Sequence, residues 1–422
     1  MRRALLLLPL VSNLAWAEPE EHHHHHHHHP EATATAPTVS PETYQEFQAI
    51  EALVAQSAYA EAERKIQALL PGLKDNPAAE ALLLRNLATL YGMQKRYAQA
   101  AETLARGLAL HALPAAENTP ALLELARYYF AAEDYAQAAG ALSAWLAQAP
   151  DPSPEHFLLL ADIQAKLKRY PEAAATVEQA IARSPQPKPE WFELLVGLHH
   201  AAHHLPGCAQ ALLALIDRAP DHALHWNQLI GVYQEMGKDN EALAVRQLMY
   251  KRGMLKSSAE IVQLAQVLRY RGLYSRAAEL LQGEIERGGV DANAGNLGLL
   301  ADAWTEAREL RKAAAVLEKA ASLADTGEVQ YRLGQTYSEL RDWPKARQAL
   351  ERAVARNGLK NPGGAYLLLG MAHYRLNEKD QARAVFVRAQ ATPAFRNTAE
   401  QWLKHIDKET RQSRSEGAEK SG

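Results

Sequence analysis

The chain has 422 residues, with 46 basic and 49 acidic side chains and a formal net charge of −3. A nucleic-acid footprint needs a basic stripe, and none is present. Abundant Ala and Leu with sparse Val, Ile and Phe favours helix over strand.

The N-terminus reads as a secretory signal over 1–17. Arg2 and Arg3 open it, ALLLLPLV is a short apolar core, and Ala15-Trp16-Ala17 offers a small-x-small cleavage site, which predicts cleavage after Ala17. The apolar run is too short to span a bilayer. Without a cysteine at the cleavage site, a lipoprotein anchor is not expected, and the residues around Arg2-Arg3 match twin-arginine export poorly. The expected location is the periplasm, with no stable membrane insertion after cleavage.

Residues 18–40 show no apolar periodicity, and the expectation is a disordered arm. It carries His22, His23, His24, His25, His26, His27, His28 and His29. Imidazoles at this density bind Zn, Cu or Ni. Two blander readings are a purification tag and a tolerated repeat expansion. No cofactor is required by anything else in the chain.

From Ser40-Pro41-Glu42, an N-cap, a first-turn Pro and an acidic first turn, helices begin. The same start recurs at Ser153-Pro154-Glu155. Over 41–393 one pattern returns ten times: a bulky or polar residue followed three positions later by a small one. The copies are Tyr59/Ala62, Tyr97/Ala100, Tyr135/Ala138, Tyr170/Ala173, Leu205/Cys208, Asp239/Ala242, Tyr274/Ala277, Leu310/Ala313, Trp343/Ala346 and Lys379/Ala382. Successive first members lie 38, 38, 35, 35, 34, 35, 36, 33 and 36 residues apart. That period denotes stacked helical hairpins, each a helix A, a tight turn and a helix B. Leu84, Leu87, Ala88 and Tyr91 form one face of a helix A, and Ala100, Leu104 and Gly107 its partner face on helix B. The two 38-residue gaps predict longer links after the first and second units. Residues 394–407 read as a capping helix whose Trp402 and Ile406 cover the last hairpin, and the polar tail 408–422 as disordered.

Cys208 is the only cysteine, so no internal disulfide is available. In HHAAHH (199–204), His199 and His203, and His200 and His204, are four apart, a metal-ligand spacing if the helix continues. The repeat frame opposes that. It puts His199 and Cys208 at packing positions and a turn near His204, leaving a core His, a core Cys and exposed turn histidines as the blander reading. HExxH, GxSxG, phosphate-loop and paired CxxC patterns are all missing, and an enzyme is not expected.

The Leu-Gly, Tyr, Ala and Pro positions of these units, as in Leu333-Gly334, Tyr337, Ala346 and Leu350, resemble the tetratricopeptide repeat. The resemblance implies an all-α, right-handed superhelical solenoid of about ten hairpins with a C-terminal capping helix. It implies that the A helices line a concave groove for protein or peptide partners. Its expected residues are Arg85, Thr89, Arg127, Phe130, Glu190, Glu193, His200, Asn227, Gln234, Glu235, Gln266, Arg269, Tyr270, Asp302, Thr305, Tyr331, Gln335, Ser338, Met371, Tyr374 and Arg375. Four segments (189–200, 299–321, 365–386 and 399–407) resemble exported tetratricopeptide proteins that accompany TonB-type energy-transduction systems in Gram-negative bacteria. The histidine-rich stretches depart from that group. The expected function is therefore a non-catalytic periplasmic scaffold, with TonB-system components among its expected partners. The alternatives are metal handling by the histidine arm and a scaffold for envelope or cell-wall assembly.

Overall fold

The computed structural model describes residues 15–16 and 38–421. The arm with His22–His29, and all but two residues of the expected signal, lie outside the described residues. Ala15–Trp16 (β1) and Thr38–Val39 (β2) pair as a two-residue parallel ladder. Among the described residues all other regular structure is helical, and the chain divides into two units, 1–236 and 237–422.

In the first unit the hairpins are α1 (Pro41–Ala55) with α2 (Tyr59–Leu69), α3 (Pro77–Met93) with α4 (Tyr97–Ala109), and α5 (Ala115–Ala131) with α6 (Tyr135–Gln148). They continue with α7 (Pro154–Lys166) and α8 (Tyr170–Ala182), then α9 (Pro189–Ala201) and α10 (Leu205–Arg218), and the unit ends with α11 (Ala223–Glu235). The second unit begins with α12 (Asp239–Lys251). It pairs α13 (Ser258–Tyr270) with α14 (Tyr274–Arg287), α15 (Ala294–Glu306) with α16 (Leu310–Leu323), α17 (Gly327–Glu339) with α18 (Trp343–Ala355), and α19 (Pro362–Arg375) with α20 (Lys379–Gln390). Helix α21 (Arg396–Lys420) follows.

The turns between A and B helices are alike. Each A helix ends two residues before a left-handed residue, and each B helix starts two residues after it. Those residues are Ser57, Lys95, Glu133, Lys168, His203, Gly237, Gly272, Arg308, Arg341 and Asn377, with φ between 56° and 79°. In a Schellman closure the amide following the left-handed residue donates back to the carbonyl five residues earlier, as Asp134 does to Tyr129 at 2.9 Å and Glu309 to Trp304 at 2.9 Å. The left-handed positions repeat at the intervals read from the sequence.

The small residues do what the pattern requires. Ala62, Ala100, Ala138, Ala173, Cys208, Ala277, Ala313, Ala346 and Ala382 are all fully buried. Glycines in A helices permit closer approach: a Cβ on Gly334 would lie 2.4 Å from Leu350, and one on Gly370 2.6 Å from Phe386. Aromatic residues late in the A helices send a polar tip to the preceding B helix. Gln67 donates to the Tyr91 hydroxyl (3.0 Å), Trp304 Nε1 donates to Gln282 (3.2 Å), and Tyr337 donates to Glu318 (2.7 Å). Each aromatic thus buries its ring without stranding its polar atom.

Two expectations differ. The extra residues of the 38-residue intervals do not sit simply in longer links. They add a turn to α3 and α5, each 17 residues long against 13 in α7. Helix α21 also runs on through most of the expected disordered tail, to Lys420, without a break at 407. Trp402 stacks on Phe386 (centroids 5.4 Å apart) and Ile406 is buried. Past this cover, Glu409 is still held by Tyr374 and Lys379, which carries the helix beyond 407.

The alanine variant of Gly370 should be destabilised by about 1–3 kcal/mol, because overpacking against the Phe386 ring outweighs the helix propensity gained. Gly140, with nothing within 4 Å of a would-be Cβ, should show the opposite sign on changing to alanine. Urea unfolding followed by far-UV circular dichroism separates the two.

Candidate interaction groove

The A helices α15, α17 and α19 of the second unit line a cavity of about 680 Å³. Asp302, Thr305 and Glu306 come from α15, and Tyr331, Arg332, Gln335 and Ser338 from α17. From the start and middle of α19 come Gly364, Leu367, Leu368 and Met371, with Asn361 just before it and Phe395 after α20. Three successive A helices therefore share one opening.

Its edges are built from local sequence. Asn361 caps α19 by accepting from the Gly364 amide at 3.1 Å. Gly364 has no side chain where a Cβ would meet the Tyr331 hydroxyl at 2.7 Å, so that ring lies against the start of α19. Burial pushes the Tyr331 pKa up, and Gln335, one turn on, acts in the opposite direction. Thr305 and Ser338 spend their hydroxyls on carbonyls of their own helices, Ala301 and Gly334, both at 2.7 Å. Leu367, Leu368 and Met371 are half-buried and form the apolar part.

The charges here are paired across adjacent A helices. Arg269 of α13 donates through Nε to Glu306 at 2.7 Å, and Arg332 of α17 bonds Asp302. The hydrogen bond to Glu306 holds the Arg269 pKa above its ordinary value. The wall is polar but locally balanced in charge.

Of the expected groove residues, Tyr331 and Gln335 meet in this cavity with Asp302, Thr305, Ser338 and Met371. Arg269 contributes through Glu306, whereas Tyr270, the last residue of α13, is 90% exposed. In the first unit, Arg127, Glu193, His200, Asn227 and Gln234 are exposed, and Phe130 is half-buried, edge-on to Tyr135 at 5.8 Å. Arg85 is a correction. It is buried, with its guanidinium 2.9 Å from Glu124, so it clamps α3 to α5 and is not presented to a ligand. The same site pushes the nearby Tyr128 pKa up to about 12, chiefly through burial.

Tyr374 is also taken. Its hydroxyl donates to Glu409 at 2.6 Å and lies 3.0 Å from His405, both on α21. Arg332, Gly364, Leu367, Leu368 and Phe395 were not read from the sequence. The two leucines look like core positions, and the one available signal was the Asn361-Pro362-Gly363-Gly364 helix start.

The histidine cluster does not pair at a spacing of four. Helix α9 stops at Ala201 and His203 is left-handed, so His204 turns back onto His199, with Nδ1 atoms 3.3 Å apart. His200 and His203 are exposed, and Cys208 is buried, its thiol 3.5 Å from the Val196 carbonyl. Among the described residues no group of three or more His, Cys, Asp or Glu is arranged to hold a metal ion. Among them, too, no helix is long and apolar enough to cross a membrane.

Family models for the tetratricopeptide repeat match residues 129–198 and 331–395. The chain contains tetratricopeptide repeats over these residues. No curated protein matches it. Similar solved structures include MamA (22% identity, 37% of this chain and 90% of that one, TM-score 0.31). Another is YrrB, described as a TPR protein with an unusual peptide-binding site (14%, 46% and 99%, TM-score 0.36). A third is a tetratricopeptide repeat protein from Parabacteroides merdae (15%, 68% and 98%, TM-score 0.28). At these TM-scores none supports carrying a ligand across. The tetratricopeptide fold supports a protein–protein interaction scaffold and is typically non-catalytic.

The Tyr374 hydroxyl is the main cause holding the Glu409 carboxyl below its ordinary range. A depressed pKa contributes stability above the unfolded value that is lost as pH falls through the folded one. Docking of α21 should therefore loosen as pH drops below the ordinary carboxylate range. At neutral pH, Glu409→Gln should speed amide hydrogen exchange around 399–409 by about threefold, the scale of a partly exposed ion pair.

Proposed function

We propose that the protein is a non-catalytic scaffold that takes a segment of a partner protein into the groove of α15, α17 and α19. The supporting observation is the cavity itself. It sets an apolar floor of Leu367, Leu368 and Met371 beside polar groups at Gln335 and Asn361, on three successive A helices. An extended or helical segment of low net charge fits such a wall, with one apolar side chain on the floor and polar contacts around it.

The proposed compartment is the periplasm, on the strength of Arg2-Arg3, the ALLLLPLV run and Ala15-Trp16-Ala17. The proposed setting, accessory to a TonB-type transport system, rests on the resemblance of residues 189–200, 299–321, 365–386 and 399–407. Recovery of transport-motor or outer-membrane receptor components from a crosslinked periplasm supports that setting, and recovery of cell-wall enzymes favours envelope assembly instead.

A display library of random peptides about 15 residues long, panned on the full chain, tests the groove. Binders should lose at least tenfold affinity to Leu368→Glu and roughly fivefold to Gln335→Ala, about one hydrogen bond's worth. Circular dichroism would verify the fold of each variant. Equal binding of the same peptides by folded Leu368→Glu would place the binding surface elsewhere.

The run of eight histidines favours a second role, in which the arm gathers Zn, Cu or Ni for a transport partner. Deleting 22–29 should then alter growth under limitation or excess of at least one of these metals. Unchanged growth across all three would make the tract incidental.

A further inference from the structure

The turn between α9 and α10 holds two imidazoles against each other. His204 precedes α10, and its ring folds back until its Nδ1 is 3.3 Å from that of His199. Gly207 permits this approach, since a Cβ there would lie 2.5 Å from His204 Nδ1 and 2.6 Å from His199 Nδ1. On the opposite edge of His199, Nε2 is 3.4 Å from Glu178 Oε1 on α8.

These contacts favour one protonation pattern. A carboxylate only accepts, so the Glu178 contact favours the His199 tautomer protonated on Nε2, which turns the lone pair of Nδ1 toward His204. The pair therefore needs a proton or a cation between its Nδ1 atoms. With metal–nitrogen bonds of ~2.0–2.1 Å, two ligands at a tetrahedral centre stand roughly 3.3–3.4 Å apart, which is the separation found. A carboxylate on the outer nitrogen is also the usual support of a metal-bound histidine.

We propose that His199 and His204 bind a transition metal ion, Zn²⁺ in the first instance, through Nδ1 of both rings. Glu178 orients His199, and water completes the coordination. His204 is exposed, so the ion enters from solvent. Cys208 does not take part, because its thiol is turned to Val196. With two protein ligands, the site binds more weakly than a closed four-ligand centre. It is independent of the groove and of the histidine arm.

The test uses the full chain with His22 through His29 replaced by serine, so that the arm does not compete. The protein is stripped with EDTA and titrated with ZnCl₂ by calorimetry. One equivalent should bind. His204→Ala and His199→Ala should each abolish it, and Glu178→Gln should weaken it at least tenfold. Melting in EDTA verifies the fold, and His204→Ala, at an exposed position, should melt like its parent. Zn²⁺ uptake that survives His204→Ala, or no uptake by the starting chain, overturns the proposal and leaves the pair sharing only a proton.

Discussion

The three-residue turn between A and B helices is the constraint on which the rest depends. Within each unit, one residue in left-handed conformation reverses the chain, and the Schellman bond behind it closes helix A. Eight of the nine such positions inside the units carry a side chain, at a cost of about 1–2 kcal/mol each. The cost is tolerated because the turn fixes where helix B starts, which brings the small residue of each pair to the helix crossing. Were the turn one residue longer, Ala100 or Ala346 would rotate about 100° around its helix, and a bulkier neighbour would meet the partner helix.

This regularity explains why the hairpin frame was legible in the sequence. Buried alanines and a constant turn leave a strong period even where single copies are degenerate. The repeat frame also put a turn near His204, which opposed pairing of the histidines at a spacing of four, and α9 does end at Ala201. Their actual pairing, His199 with His204, could not be read, because it needs the fold-back of the turn and the missing side chain of Gly207. Arg85 misled for a related reason. Its position faces the groove by pattern, but Glu124 arrives from a helix 39 residues away and closes over it. The floor of the groove was hidden because Leu367 and Leu368 are indistinguishable by residue type from core leucines.

Length varies elsewhere in the repeat. Links from helix B to the next helix A range from three residues after α16 to seven after α2, where a short 3-10 turn at Leu70–Leu73 fills the gap. Helices α3 and α5 gain a whole turn at no cost to their A/B crossings. The groove in the second unit depends on two such links. The segment before α19 brings Asn361 and the first turn of α19, with Gly364, against Tyr331, and that after α20 brings Phe395 to the same edge.

The pairing of Arg269 with Glu306 and of Arg332 with Asp302 also has a kinetic meaning. Closely matched opposite charges cancel within a few ångströms, so the groove casts little field into solvent. In the proposed role, a partner segment would not be drawn in from a distance, and its rate of capture would be set by diffusion and orientation. Added salt, which slows steered encounters many-fold, leaves such an encounter nearly unchanged.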